Sequence, residues 1–212
     1  MGDLVPGVAS SAMAGDASGL LDALGIEAAH VFGVSMGGMI AQEIALMEPQ
    51  LIRKMVITGT GPAGGEGISK VGRITYYDML RGYLTFQDPK QFLFFTRTAD
   101  GIRAGKDFLA RLKERTDNRD REITVKALLA QLKALRLWGS KPPADLSKVY
   151  HPVLVANGDN DRMVPSKNTH DLARRLPNSE LVIYPDSGHG AVFQFHADFV
   201  PRALAFLARP HG

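Results

Sequence analysis

The sequence predicts an α/β fold: a parallel sheet of about four strands, interrupted by an inserted helical region. Three observations carry the prediction. Short apolar runs alternate with segments of helical periodicity at both ends of the chain, and helices between strands supply the crossovers that parallel pairing requires. The middle, residues 63–147, reads as helices without strand-like runs. That stretch also differs in charge, with 16 basic and 10 acidic residues, whereas the whole chain carries only +3.

The elements follow in order. Residues 1–15 are small and rich in Gly and Pro and read as an arm or loop. Asp16 reads as the N-cap of a short helix with Ala17, Leu20, Leu21 and Leu24 on one face and Gly25 as its stop. Ala28–Val34 suits a buried strand running into a Gly-rich turn. From Met36 to about Met47 the apolar residues recur at helical spacing, and Glu48-Pro49 ends the segment. Leu51–Thr58 is a second strand. After the insertion, Pro152–Ala156 is a strand and Ser166–Leu176 a helix capped by Ser166. Glu180–Tyr184 is a strand and Ala197–Leu207 the final helix. Residues 1–62 and 148–212 thus form the core, and 63–147 a helical cap.

Composition excludes several classes of function. The 212 residues include no Cys, which rules out a thiolate nucleophile and Cys-based metal centres. Acids and bases are interspersed, so no nucleic-acid footprint is suggested. The N-terminus lacks the basic and apolar regions of a signal peptide, and no apolar run approaches the ~20 residues of a membrane helix. The expectation is a cytoplasmic protein that needs no membrane.

The strongest local signal is Gly33-Val-Ser35-Met-Gly37-Gly38, between the first strand and the first long helix. A serine on a strained strand-to-helix turn is presented as a nucleophile, and glycines at Gly33 and Gly37 avoid collision with neighbouring backbone. The following helix aims its N-terminal amides at the serine, which makes the Met36 N–H an oxyanion donor. A serine hydroxyl needs a positioned base, itself oriented by an acid. His189 lies in Pro185-Asp-Ser-Gly-His-Gly190, directly after the last strand, on the sheet edge where open α/β folds place their ligands. His196 is the fallback. His30 and His151 fall in or beside strands, His170 inside a charged helix, and His211 at the terminus. Asn157-Gly-Asp159-Asn-Asp161-Arg-Met-Val-Pro165 also follows a strand and offers two acids, Asp159 and Asp161. The chain order is serine, acid, histidine, at intervals of 126 and 28 residues for Asp161.

On these residues the chain resembles the α/β-hydrolase fold superfamily, in its serine esterase, lipase and lactonase-like branch with a helical cap. The matching motifs are Gly-Val-Ser35-Met-Gly-Gly, Gly158-Asp-Asn-Asp161-Arg-Met-Val-Pro165 and Ser187-Gly-His189-Gly. The family pattern Gly-x-x-Asp-x-x-x-Pro aligns on Asp161 and favours it over Asp159. The resemblance implies a hydrolase of carboxylic esters, thioesters or lactones, with Ser35 as nucleophile, His189 as base and Asp161 as its orienting acid. It implies no cofactor, and the histidine spacing suggests no metal cluster. The family also carries about four strands and an oxyanion loop ahead of its elbow, whereas Ser35 stands near the start of this sequence. The expectation is therefore a sheet lacking its first half and one oxyanion donor, with impaired activity. The exposed edge of the first strand would then pair with a second copy or be covered by residues 1–15.

The cap concentrates aromatic residues. Tyr76, Tyr77, Trp138 and the acid-loop residue Val164 are candidates for lining an apolar substrate pocket. Gly59-Thr-Gly-Pro-Ala-Gly64, with Asp78 downstream, fits a dinucleotide-binding pattern, but Pro62, Gly65 and Gly67 keep a helix from opening there.

Overall fold

The computed structural model describes residues 8–119, 121 and 123–210. Residues 1–7 of the expected arm, and His211, lie outside these. The first element is a helix, α1 (Val8–Ala23), followed by β1 (Ala29–Val34), α2 (Met36–Met47) and β2 (Ile52–Thr58). The segment between β2 and β3 holds α3 (Val71–Thr85), α4 (Lys90–Phe94), α5 (Ala99–Arg111) and α6 (Val125–Ser140). The chain closes with β3 (Val153–Gly158), α7 (Lys167–Arg175), β4 (Ser179–Tyr184), α8 (Ala191–Gln194) and α9 (His196–Ala208).

The four strands form one sheet in the order β1-β2-β3-β4, with every neighbouring pair parallel. β2 and β3 are buried along almost their whole length, because helices cover both faces of the sheet. Alternation along β2 sorts its side chains: Met55 and Ile57 face α1, α2 and α7, while Val56 faces α8 and α9. A third cluster joins the helical segment between β2 and β3 to the sheet layer, where Ile68, Val71, Leu135 and Trp138 pack on Met39 of α2 and on Val164.

Three expectations are corrected. Asp16 does not cap a helix, because α1 already begins at Val8 and runs through it. The Ala- and Ser-rich run before Asp16 has enough helix propensity to be recruited once Ala14 is buried against α2 and β2. The expected arm is thus helical from Val8 onward, and this helix packs over α2. Ser166 precedes α7 without a side-chain capping bond; its hydroxyl donates to the Gly158 carbonyl. The short helix α8, which directly follows His189-Gly190, has too few residues to show a period.

One buried cation joins the two ends of the chain. Lys54 of β2 is only 2% exposed and donates to the Phe206, Leu207 and Arg209 carbonyls at the end of α9. These are the acceptors that a helix C-terminus leaves open, so Lys54 acts as the cap of α9 from the neighbouring strand. No described helix is long and apolar enough to cross a membrane.

Candidate active site

Because the strands are parallel, their C-terminal ends lie along one edge of the sheet. Val34 pairs with Thr58, Thr58 with Ala156, and Gly158 with Tyr184. The loops carrying Ser35, Asp161 and His189 all leave from that edge.

Ser35 is the turn residue between β1 and α2, with φ 54° and ψ −117°. Such a conformation costs a non-glycine residue about 1–3 kcal/mol and persists only where surrounding contacts impose it. Here the Ser35 N–H donates to the Thr58 carbonyl (2.8 Å), and the Ser35 carbonyl accepts from the Gly38 N–H (3.0 Å). A Cβ on Gly33 would lie 2.5 Å from the Gly37 carbonyl oxygen, so the close approach of strand and helix requires glycine there. Gly37 is different from the expectation, because a Cβ at that position would meet nothing within 4 Å. The second steric demand falls on Gly38, whose Cβ would lie 2.6 Å from the Thr60 side chain, since α2 turns that residue toward the loop after β2. Met36 opens α2, so its N–H belongs to the first-turn amides that have no acceptor within the helix.

The acid loop is held by its own backbone. Asp161 is 5% exposed, and its Oδ1 accepts from the Met163 N–H (2.8 Å) and the Val164 N–H (2.9 Å). Its Oδ2 lies 2.8 Å from His189 Nδ1. Asp159 is exposed and bonds elsewhere, accepting from the Ser187 N–H (3.2 Å) and from Asn160 Nδ2 (2.7 Å). It ties the acid loop to the histidine loop without touching the imidazole. Asn157 braces the same loop, donating to the Val164 carbonyl (3.3 Å) and to the Thr169 hydroxyl (3.0 Å).

His189 is buried and crosses back over the sheet. A Cβ on Gly59, the residue after β2, would lie 3.2 Å from its imidazole. The imidazole and the Ser35 backbone thus flank the same Thr58-Gly59 segment. From above, α4 touches the histidine loop: the Phe94 ring centroid is 5.8 Å from the imidazole, and the Phe94 carbonyl accepts from the Gly190 N–H (2.7 Å). Below, Tyr184 anchors the loop, its carbonyl accepting from the Ser187 hydroxyl at 2.9 Å. Burial, reinforced by the Asp198 carboxylate that accepts its proton at 2.8 Å, pushes the Tyr184 phenol up to about 12, so it stays a donor.

The other histidines stand apart. His30 is on β1, His170 is exposed on α7, and His196 Nδ1 pairs with the Phe193 carbonyl. His151 Nε2 lies 2.9 Å from the Pro49 carbonyl, and burial holds its pKa below the ordinary range.

Of the expected pocket residues, Trp138 and Val164 are brought together, in a packed cluster, and Tyr76 and Tyr77 are not part of it. Tyr76 and Tyr77 are 52% and 58% exposed on α3. Trp138 is 3% exposed and donates from Nε1 to the Gly61 carbonyl (3.1 Å), and Val164 packs in the same buried cluster. An aromatic composition alone does not distinguish such packing from a pocket. A cavity of about 470 Å³ instead lies between α4 and the two site loops, lined by Phe92, Phe95, Thr96, Arg97, Asn160, Arg162, Asp186 and Gly188. No group of three or more metal-ligating side chains is found among the described residues.

Comparison with known proteins bears on the fold. The model of the alpha/beta hydrolase fold family matches residues 9–195. The chain belongs to that family. A 2-hydroxy-6-oxononadienedioate/2-hydroxy-6-oxononatrienedioate hydrolase of Burkholderia vietnamiensis is 32% identical over 201 residues, covering 91% of this chain and 66% of the relative. The chain thus spans slightly less than two thirds of the length of the curated relatives it matches. An alpha/beta hydrolase fold protein from Chitinophaga pinensis is similar in structure, with a TM-score of 0.89 and 35% identity over 95% of this chain and 72% of its own. Est816, an N-acyl homoserine lactone degrading enzyme, is similar with a TM-score of 0.68 and 25% identity, covering 93% of this chain and 74% of its own.

The elbow geometry gives a paired test. Gly33→Ala is expected to lower stability by about 1–3 kcal/mol, because backbone must move to admit the methyl, whereas Gly37→Ala is expected within about 0.5 kcal/mol of the parent. Urea denaturation midpoints measure both, and equal effects of the two substitutions would contradict the steric assignment.

Proposed function

We propose that the chain is a serine hydrolase that cleaves a carboxylic ester, thioester or lactone through an acyl-enzyme on Ser35. The observation that carries this reading is the buried 2.8 Å contact between Asp161 Oδ2 and His189 Nδ1, together with a serine in a strained strand-to-helix turn whose N–H bonds Thr58, the residue before the Gly59 that the imidazole approaches. Membership of a hydrolase family, and the similarity to a lactone degrading enzyme, support the same reading.

In this mechanism Asp161 accepts a hydrogen bond from the Nδ1–H of His189, which keeps the proton on Nδ1 and leaves Nε2 as the basic nitrogen. Ser35 Oγ attacks the acyl carbon as Nε2 takes its proton. The Met36 N–H donates to the oxyanion of the tetrahedral intermediate, aided by the N-terminal end of α2. The histidine then returns the proton to the leaving oxygen or sulfur, and the acyl-enzyme forms. Water attacks the acyl carbon with His189 again as base, releasing the acid and restoring Ser35. The bonding of Asp161 Oδ1 to two backbone amides supports its role, since a carboxylate held by fixed donors needs no rearrangement during the cycle.

A fluorophosphonate probe tests the nucleophile. The wild-type chain is expected to take up one label that Ser35→Ala abolishes; equal labelling of that variant would sink the assignment.

A second reading, self-association, is favoured by the edge of the sheet. Among the described residues β1 pairs with β2 on one side only, and Phe32 on it is 56% exposed. An edge strand of this kind offers apolar surface to a second copy. Multi-angle light scattering is expected to give the mass of a dimer, and Phe32→Lys to shift it toward the monomer. A monomer at all concentrations would remove this reading.

A further inference from the structure

The residue after Asp161 is an arginine, and a guanidinium beside an orienting carboxylate is a competitor for it. Arginine forks match carboxylate oxygens in geometry and charge, so a free Arg162 would draw Asp161 Oδ2 away from His189. The structure gives Arg162 other acceptors. Its Nη1 lies 3.3 Å from Asp78 Oδ2 and 3.3 Å from the Phe92 carbonyl, both in the cap. Asp78 sits on α3 with its side chain completely buried, and its Oδ1 has no hydrogen-bond partner. A buried carboxylate with an unsatisfied oxygen is costly to keep for packing alone. Arg162 is the cation that the structure pairs with it.

We propose that Asp78 is a positioning residue for the Asp161–His189 couple: it holds the Arg162 guanidinium on the cap side, so that Asp161 keeps Oδ2 for the imidazole. The proposal rests on the serine hydrolase reading for its kinetic consequence but not for its structural one. It also gives the cap a role in the chemistry, because seating α3 and α4 and freeing Asp161 become the same event. The two backbone amides on Asp161 Oδ1 hold that oxygen but leave Oδ2 open to a rival donor.

The test uses Asp78→Asn, with Asp78→Ser as a second single variant that admits water, and the double variant Asp78→Asn/Arg162→Met. Asp78→Asn is expected to lower kcat on a short-chain p-nitrophenyl ester by ~10-fold or more, short of the ~10⁴-fold that loss of an orienting carboxylate costs. KM is expected to change less than ~3-fold, since the orientation of the base, and not substrate binding, is lost. The double variant is expected to recover kcat, because the competing guanidinium has gone with its acceptor. A second readout needs no turnover: the proton bridging His189 Nδ1 and Asp161 is followed by its downfield ¹H NMR signal, expected to weaken in either single variant and return in the double. If the pair merely pinned the cap, the double variant would be as impaired as the single ones, and that result overturns the proposal. An unchanged proton signal in both single variants overturns it as well. Should the wild-type chain turn over no ester while the proton signal follows the expected pattern, the hydrolase reading falls and the positioning role of Asp78 stands.

Discussion

Parallel pairing of four strands is the constraint on which the site depends. In an antiparallel sheet successive strand ends would fall on opposite edges, and no three consecutive loops could meet. Here the crossovers return each strand in the same direction, so the loops after β1, β3 and β4 open on one side. The crossover helices α2 and α7 cover one face of β2 and β3, and α8 and α9, which follow the last strand, cover the other, which gives the edge a rigid base. Lys54 closes the same construction from below by capping α9.

The loops meet through close backbone approach as much as through side-chain bonds. Gly33 lets β1 run against the first turn of α2, and a Cβ on Gly158 would lie 2.1 Å from the Ser187 carbonyl oxygen, so the acid and histidine loops touch through that glycine. Asp159 adds its bond to the Ser187 amide across the same junction. The 2.8 Å contact of Asp161 with His189 is thus the outcome of two loops held together by neighbouring contacts, not an isolated pairing. This rigidity is what an orienting carboxylate needs, because its effect comes from fixed direction.

Much of the site was legible in the sequence because its signals are local. The elbow is a run of six residues, and both acid candidates lie in one loop directly after a strand. The resemblance to the Gly-x-x-Asp-x-x-x-Pro pattern singled out Asp161, and the geometry puts that residue, not Asp159, on the imidazole. What escaped depends on contacts distant in sequence. The first turns of α1 are stabilised by burial of Ala14 under α2, which the Gly-rich composition of residues 1–15 hides. The steric demand on Gly38 comes from Thr60, beyond the end of β2, and no pattern within the elbow distinguishes it from Gly37. Trp138 reads as a pocket aromatic until Gly61 is seen to accept its indole proton. Asp78 likewise suggested only a dinucleotide decoy, because its partner Arg162 is 84 residues away.

The account stands on Asp161, and not its neighbour Asp159, serving Ser35 through His189. Rapid-mixing measurement of p-nitrophenolate release from a short-chain ester tests this most directly, using the wild-type chain, Asp161→Asn and Asp159→Asn. The account predicts a burst stoichiometric with the wild-type protein, retained in Asp159→Asn and lost in Asp161→Asn. A burst that survives in Asp161→Asn, or one that disappears with Asp159→Asn alone, would contradict it.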